Sequence, residues 1–515
     1  MSVNDDNMIL ARYPNTYSDR LEKVLQNGTN GHGGVGEEFE IVPVDKKPFT
    51  WKDTGKICMW SQMSVTWGSS KSVVRLNPAS QSVSGSAKTV VSVVGSSAYP
   101  VAVSPTNSGI IPSKIYYFNV FEEIDMPGEW CFDDEEKRVY FYPENGQLTE
   151  ADRISFSDSG TECIFNINKS DNIIINGLDF SQIVNVIGIN DSENVVVQNC
   201  GFKNIEGISV QLTKCRLSGV INSEFSNVST GVTLRGDTMD WGRLTADRNF
   251  IQNNICTNSR SFANAVDSIG NIISHNTVEN LEGSMLGLHH SCENIIEYND
   301  ICAANLVGDE GGCIYIDGHV DSMYNHVRYN YIHDNKPYGS SLRYGGAVVV
   351  DDMGGNTYIY KNIIENQYYG ISYNCGDNNI ADSNTFINCY SSEISASSLM
   401  YGGYGTFMGS KKSEGRALSE LRFFPSFYNL KLSESESWNN RYPKLFAYMA
   451  KTEELYNAWN GGSISDDSES MKFFRASTGN YFLNNTFVTQ NQRDIGLKEN
   501  VSVGKTAIAV NTVED

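Results

Sequence analysis

The chain has 515 residues, and 40% of them are hydrophobic, which is enough for a large core and too many for a disordered protein. Lysine and arginine number 39 against 61 aspartate and glutamate residues, so the formal net charge is −22. This acidity argues against nucleic acid or an anionic membrane as partner, because phosphate groups are bound by clustered cations. A neutral or weakly charged partner, such as a polysaccharide or oligosaccharide, fits the surface better.

The sequence also lacks the motifs of several classes of protein. No run approaches the roughly 20 apolar residues of a membrane helix, and residues 1–7 are polar and acidic, unlike a secretory signal. The 11 cysteines include no Cys-x-x-Cys pair, so we interpret them as buried thiols rather than as disulfides or a zinc site. Nucleophile-elbow, Walker and HExxH motifs are also missing. We therefore expect neither a metal nor another cofactor.

The N-terminal part of the chain, residues 1–150, is rich in β-forming residues with serine and glycine turns, and it shows no repeat. We interpret it as an accessory β-rich region or as incomplete early coils of the structure that follows.

Residues 151–390 carry a repeat of short β-branched runs, each followed by asparagine and a second apolar stretch. These asparagines are Asn176, Asn199, Asn222, Asn254, Asn276, Asn299, Asn330, Asn362 and Asn384. Successive steps are 22 or 23 residues, with three longer steps of 31 or 32, and Asn485 is expected to resume the series. Short strands with Asn and Gly at their corners predict an all-β fold, a right-handed parallel β-helix. Stacked asparagine amides would bond to one another as a ladder.

A second strand precedes the Asn strand in several coils, at residues 287–291, 311–317, 346–352 and 370–375. Coils stack about 4.8 Å apart, so equivalent residues of these strands should form rows on one sheet face. The extra residues of the longer coils flank these strands. We expect them to form loops that rise as the walls of a groove.

Residues 391–478 interrupt the repeat. They contain a helical pattern at 441–459, with Pro443 near its start. Aromatic residues in this insertion, including Trp438, favour a packed and partly helical lid over a disordered segment. Residues 479–515 are expected to supply the last coil and a C-terminal strand.

Carboxyl groups gather around the predicted face. Asp309 precedes one of its strands, and Asp351 and Asp352 end the next. Hydrolysis of a glycosidic bond requires one carboxyl group as proton donor and a second as base or nucleophile. Crowded carboxyl groups also drive their pKa values apart, so that one can stay protonated. We predict that Asp309, Asp351 and Asp352 are catalytic, although such acids can also cap turns or keep a sheet soluble.

Further polar and aromatic residues of the same coils and of the insertion are predicted to bind the substrate. They are His289, His290, Glu310, Tyr315, Asp317, Arg343, Tyr373, Asn374 and Trp438. Surface salt bridges are an equal alternative for Arg343. Because Asp309 and Asp351 lie at opposite ends of their strands, the spacing favours the wider, inverting arrangement.

The chain resembles the parallel β-helix glycosidases of the pectin-lyase-like superfamily. It is most similar to bacterial glycoside hydrolase family 141, whose described activities are α-L-fucosidase and xylanase. The matching stretches are VNDDNMILARYPN (3–15), FEEIDMPGEWCFDDEEKRVYFYPENG (121–146), GDEGGCIYIDG (308–318), GAVVVDDMGGN (346–356) and RYPKL (441–445).

The resemblance implies a catalytic pair of Asp residues about 40 positions apart, which falls here on Asp309 and on Asp351 or Asp352. It also implies a secreted or periplasmic location. The aromatic residue that usually precedes the paired Asp is Val349 or Val350 in this chain, so substrate contacts are expected to differ.

Two other functions share this scaffold. A polysaccharide lyase would use a Lys or Arg base, often with Ca²⁺, and the predicted groove is poor in lysine. A non-catalytic glycan-binding module would bind the sugar unchanged.

Overall fold

The protein is described by a computed structural model. The structure describes residues 1–4, 6–15, 20–26, 38–42, 49–52, 57–62, 69–83, 86–94, 115–133, 135–156, 163–237, 244–306, 311–317, 322–335, 346–351, 354–367, 369–374, 376, 378–389, 394–397, 412–417, 436–459, 480–488, 499–500, 507–509 and 512–514. The chain forms two compact units, Met1–Ser157 and Asp158–Asp515.

The first unit is built from short sheets that are largely antiparallel. In spatial order, its seven-stranded sheet consists of Arg12–Tyr13, Ile115–Phe118, Cys58–Gln62, Ser69–Val83, Ser86–Val93, Glu38–Val42 and Arg20–Gln26. Two three-stranded sheets contain Ser2–Val3, Asp6–Asn7 and Ile154–Ser155, and Ile9–Leu10, Glu129–Asp133 and Arg138–Phe141. A 3₁₀ turn spans Phe121–Glu123. The core is aromatic, with Phe49 stacked on Trp51 at 4.0 Å.

The second unit is a parallel β-helix with three faces, as the repeat predicts. Face A contains Phe165–Asn168, Ile187–Asn190, the second halves of Gly201–Thr213 and Glu224–Arg235, Ser261–Val266, Leu286–His289, Gly312–Asp317, Gly346–Val350, Tyr369–Asn374, Ile394–Ser397 and Glu499–Asn500.

Face B follows face A in each coil. Its strands are Ile173–Asn176, Val195–Gln198, Gly219–Ile221, Phe250–Gln252, Ile272–Ser274, Ile295–Glu297, His326–Arg328, Tyr358–Tyr360, Ile380–Asp382, Tyr481–Leu483 and Ala507–Ala509. Face C closes the coil. It contains Asp179–Ile183, the first halves of the two long strands, Ile255–Ser259, Thr277–Leu281, Asp300–Cys302, Tyr331–His333, Ile363–Glu365, Thr385–Ile387, Thr486–Val488 and Thr512–Glu514.

The predicted asparagine ladder is present at the corner between faces B and C. It runs through Asn254, Asn276, Asn299, Asn330, Asn362, Asn384 and Asn485, each amide nitrogen donating to the next amide oxygen at 2.9–3.1 Å. Asn485 therefore does resume the series, 101 residues after Asn384.

Three predicted members of the ladder lie elsewhere. Asn176 ends a strand and pairs with Gln198, and Asn199 and Asn222 occupy the left-handed position that precedes the ladder site, with φ of 52° and 51°. The corner has two adjacent positions that suit asparagine, one for its backbone and one for its amide. In these early coils the buried position is filled by Cys200 and Ser223 instead.

A second asparagine ladder, which the sequence did not suggest, lies at the corner between faces A and B. Asn271 donates to Asn294 and Asn294 donates to Asn325, both at 3.0 Å, and all three side chains are fully buried. Asn379 and Asn480 continue this corner by accepting backbone N–H groups. Face B is therefore bordered on both sides by buried asparagines whose amides are hydrogen-bonded to other amides or to backbone carbonyl groups.

Helices α1 (Glu436–Arg441) and α2 (Pro443–Ala458) lie within the interruption of the repeat, as predicted. They contact the corner between faces A and B, where Tyr442 stacks on Tyr324 at 4.0 Å. Glu293 at the same corner accepts hydrogen bonds from Arg441 and Tyr442. Burial raises the pKa of Glu293, and Arg441 partly offsets that rise.

Inward side chains of the three faces form one continuous hydrophobic core, in which Phe202 stacks on Phe180 at 5.3 Å and on Phe225 at 4.8 Å. Six of the ten described cysteines are buried, in line with the sequence prediction. Among the described residues, neither helix combines the length and the apolar character that crossing a lipid bilayer requires.

Candidate active site

The outer surface of face A carries two rows of side chains, because successive residues of a strand point to opposite sides. One row runs Thr233, Asn264, Gly287, Tyr315, Val349, Ser372 through paired positions of neighbouring strands. The other contains Val266, His289 and Asp317. The structure therefore brings three predicted residues, His289, Tyr315 and Asp317, onto adjacent strands of one surface.

His289 and Asp317 form a hydrogen-bonded pair between neighbouring coils, with 2.8 Å between Nδ1 and Oδ2. The two side chains are 33% and 22% exposed, so the pair is sheltered and still reachable from solvent. The carboxylate fixes the ring so that its other nitrogen, Nε2, is available on the opposite edge. Such a nitrogen can bind a sugar hydroxyl.

Tyr315 and Asp351 form a second pair, in which the phenol O–H donates to Oδ2 at 2.5 Å. Asp351 follows the strand Gly346–Val350, and its backbone N–H donates to Ile316 in the neighbouring coil. Asp317 and Asp351 thus come directly after a paired position of two adjacent strands. Their backbones are separated by one strand spacing of roughly 4.8 Å.

Gly287 provides the space between these groups and Asn264. A Cβ atom at this glycine would lie 2.9 Å from Asn264 Oδ1 and 2.9 Å from His289 Nε2. Real Cβ atoms do not approach other atoms so closely, so a larger residue would displace the imidazole or the amide. Asn264 was missed by the sequence reasoning, since one asparagine among many in this repeat carries no signal. Only the strand register singles it out.

Val349 occupies the row position beside Tyr315 and is only 5% exposed. Its Cγ2 covers Gly312 and Gly346, at 2.9 Å and 3.2 Å from where their Cβ atoms would stand. Of the two neighbouring valines, Val349 faces outward and Val350 inward. A small aliphatic side chain therefore adjoins the polar cluster here.

Two predicted substrate-binding residues lie in hydrophobic cores instead. Tyr373 is fully buried, stacks on Phe482 at 5.1 Å, and has its pKa raised well above the usual value by burial. It lies in the inward row with Val350, one residue from the outward Ser372. Trp438 is 1% exposed and packs against Tyr442, so no ring face is open for stacking on a sugar. The prediction is wrong for both residues.

The other predicted site residues either lie outside the described residues or lie at the ends of face A strands. Asp309, Glu310, Arg343 and Asp352 lie outside the described residues. His290 is half-buried and begins the corner after His289 with a left-handed backbone of φ 48°. Asn374 ends the strand Tyr369–Asn374 on face A.

A cleft of about 500 Å³ lies farther along the same unit, at the first coils. Its lining includes Asn166, Gly188 and Gln211, which precede Thr233 in the outer row that leads to Tyr315. Four strand spacings separate Gln211 from Tyr315, which corresponds to roughly 19 Å. The cleft and the polar cluster therefore lie on one continuous surface.

No protein-family model matches the sequence, and no curated protein matches it either. Solved structures with similar chain paths include a glycoside hydrolase, with 12% identity over 77% of this chain and 76% of that chain and a TM-score of 0.47. The periplasmic alginate epimerase AlgG has 10% identity over 68% and 75%, with a TM-score of 0.35. The catalytic domain of a GH87 alpha-1,3-glucanase in complex with nigerose has 10% identity over 76% and 96%, with a TM-score of 0.27. The fold assignment rests on the strand pairing of this chain.

Proposed function

We propose that the protein is a carbohydrate-active enzyme, a glycoside hydrolase that cleaves a polysaccharide or oligosaccharide bound on face A. One observation carries the proposal: Asp351 and Asp317 follow paired positions of adjacent strands on an outer surface, each held by a polar partner from a neighbouring position. Two nearby carboxyl groups are the minimum equipment for hydrolysis of a glycosidic bond.

In this proposal Asp351 is one catalytic carboxyl group. Tyr315 donates a hydrogen bond to it and so fixes its orientation toward the substrate. The predicted partner is Asp309, and Asp352 is the alternative to Asp351. Asp317 is a further candidate for the second carboxyl group because of its place on the neighbouring strand. His289 and Asn264 would bind hydroxyl groups of the sugar at the cleavage point.

The substrate is proposed to be a chain of several sugar units lying along the row from Tyr315 to the cleft at Gln211. Amide side chains line that cleft, and amides suit the neutral hydroxyl groups of glycans. The strongly negative net charge agrees with a neutral glycan rather than a polyanion. A glycan of this kind would also agree with the secreted or periplasmic location that the family resemblance implies.

The finer proposal, from the resemblance to family 141, is an α-L-fucosidase or xylanase activity. Helices α1 and α2 adjoin the corner that follows the strands of His289 and Asp317, where Glu293 and Tyr324 contact them. This position supports a role of the insertion as the lid of the site.

The test is release of sugar from a panel of fucosides, xylosides and natural polysaccharides. Asp351→Asn should lower turnover by about 10²- to 10⁴-fold, the usual contribution of a general acid or base. Asp382→Asn is the matched control, the same change on the outer surface of face B. Both variants should unfold at temperatures near that of the wild type.

Retained activity in Asp351→Asn would remove this residue from the mechanism, and the same experiment on Asp309, Asp317 and Asp352 would locate the pair. Unsaturated products that disappear with a chelator would identify a lyase. Glycan binding without any released product would identify a binding module.

A further inference from the structure

A second cluster of reactive side chains lies on face C, away from the proposed active site. The ligand atoms of Cys302, His333 and Asp334 all lie within 4.8 Å of one another. Cys302 and His333 occupy paired positions of neighbouring strands, and Asp334 follows His333 at the corner. The cluster joins a thiol, an imidazole and a carboxylate, the three side-chain types that bind Zn²⁺.

The imidazole is held as metal-binding histidines usually are. Its Nε2 lies 2.9 Å from Asp300 Oδ1, and its Nδ1 faces Asp334 Oδ2 at 2.9 Å. A histidine that binds a metal through one nitrogen almost always donates its other N–H to a carboxylate or carbonyl group. Tyr331 stacks on the ring at 4.0 Å, and the His333 side chain is only 16% exposed. The ring orientation is therefore fixed.

The carboxylate is supported in the same way. Asn366 donates to Asp334 Oδ1 at 2.8 Å, which leaves Oδ2 on the side of the imidazole. Glu279 pairs with Cys302 on the other neighbouring strand and adds further negative charge. Acidic groups outnumber the single imidazole here, so a bound cation would relieve their mutual repulsion.

We propose that Cys302 Sγ, His333 Nδ1 and Asp334 Oδ2 bind a divalent cation of the zinc type, with water as the fourth ligand. Bonds of 2.0–2.3 Å in a tetrahedron place ligand atoms roughly 3.3–3.8 Å apart. The ligand atoms here lie within 4.8 Å of one another, so they need to move by only about 1 Å. Binding would release a proton from Nδ1 and from the thiol to solvent. This proposal differs from the expectation from the sequence that the protein binds no metal.

The position of the cluster suggests what the cation does. Cys302 and Asp334 belong to successive coils, at the corner from which the chain proceeds to residues 307–310 and to residues 336–345. Those segments carry Asp309 and Arg343, both predicted for the site on face A. A cation would cross-link the starting points of the two segments. Binding of the cation can be measured without reference to the reaction proposed for face A.

The test uses the full chain, stripped with a chelator and titrated with Co²⁺ and then Zn²⁺. The expected result is one equivalent bound, a thiolate-to-cobalt charge-transfer band, displacement by Zn²⁺, and a rise in the unfolding temperature. Cys302→Ser should abolish the band, and His333→Gln should weaken binding at least 10-fold. Cys389→Ser and His275→Gln are matched controls in other coils, and both should bind as the wild type does.

Two results would overturn the proposal. The first is unchanged binding in Cys302→Ser, a change small enough to preserve the fold, since the cation would then lie elsewhere. The second is the lack of both a charge-transfer band and a shift in unfolding temperature at equimolar metal. His333 would in that case be an imidazolium held between Asp300 and Asp334, with only a structural role.

Discussion

The borders of face B and the outer surface of face A both carry rows of stacked residues, yet the rows differ. At the corner between faces B and C the same residue recurs from coil to coil, and each amide donates to the next. On face A the row changes at every step, from Asn264 to Gly287, Tyr315 and Val349. Repetition satisfies polar groups within the protein, whereas variation leaves groups directed at something outside it.

This contrast distinguishes the polar residues that stabilise a repeat protein from those that serve its function. A buried asparagine in a ladder has its donors and acceptors bonded to identical neighbours, so its replacement should cost stability. The polar side chains of the changing row, Asn264 and Tyr315, are partly exposed, and Tyr315 is bonded to a different kind of side chain, that of Asp351, so their replacement should cost activity. Four experiments test this distinction.

The largest effect is expected in the ladder between faces B and C. Asn299→Ala removes the acceptor of Asn276 and the donors to Asn330 and Ile273, all buried. We expect the free energy of unfolding to fall by about 3–5 kcal/mol, as measured by urea titration. Turnover per folded molecule should stay at the wild-type value. A loss below about 1 kcal/mol would mean that the ladder is not what stabilises the corner.

The reverse pattern is expected for His289 on face A. His289→Gln removes the ring that Asp317 holds at 2.8 Å, and we expect kcat/KM to fall by about 10²-fold, because the substrate loses a positioning group. The free energy of unfolding should change by less than about 0.5 kcal/mol. Steady-state kinetics and urea unfolding on the same preparation give both numbers. A variant that loses stability and keeps its activity would place His289 with the structural residues.

A smaller effect is expected at Gly287. Gly287→Ala adds a methyl group 2.9 Å from both Asn264 Oδ1 and His289 Nε2, so both side chains must shift. We expect kcat/KM to fall by about 10-fold, the effect of a displaced binding group. Gly188→Ala in the same row serves as the comparison, because there the new methyl group meets Cys163 in the distal cleft. It should weaken only long substrates, and equal effects on short ones would argue against the extended binding mode.

The smallest effect concerns His326 on the outer surface of face B. Burial lowers its pKa, and the positive charge of Arg328 lowers it further, while the ring stacks on Tyr358. The unfolded chain therefore binds a proton more readily, so this residue's contribution to stability is lost as pH falls from about 6.5 through the depressed folded-state pKa. Thermal unfolding across this range should show a shallower pH dependence in His326→Phe. An unchanged slope would mean that other groups cause it.

The repeat period was sufficient to predict the solenoid, because residue identity at the corners is dictated by backbone geometry. It could not assign every asparagine, since adjacent corner positions favour Asn for different reasons, as Asn222 and Asn254 show. Tyr373 was misplaced by a single residue, which in a strand exchanges the core for the surface. The predicted alignment of the strands was right, so His289 lies on the strand next to that of Tyr315 and Asp317. The hydrogen bonds of His289 with Asp317 and of Tyr315 with Asp351 depend on side-chain conformations, which no sequence pattern contains.

The 101-residue interval between Asn384 and Asn485 has a practical meaning for protein engineering. The amides at its two ends form the same hydrogen bond that Asn362 and Asn384 form across an interval of 22 residues. The length of the inserted chain therefore does not change the hydrogen bonding of this corner. Closing the longer loop costs only about 1.3 kcal/mol more, because the entropy of closure grows with the logarithm of length. A foreign domain inserted between Ser397 and Asn480 should therefore leave the β-helix folded, so the solenoid can be used to display other domains.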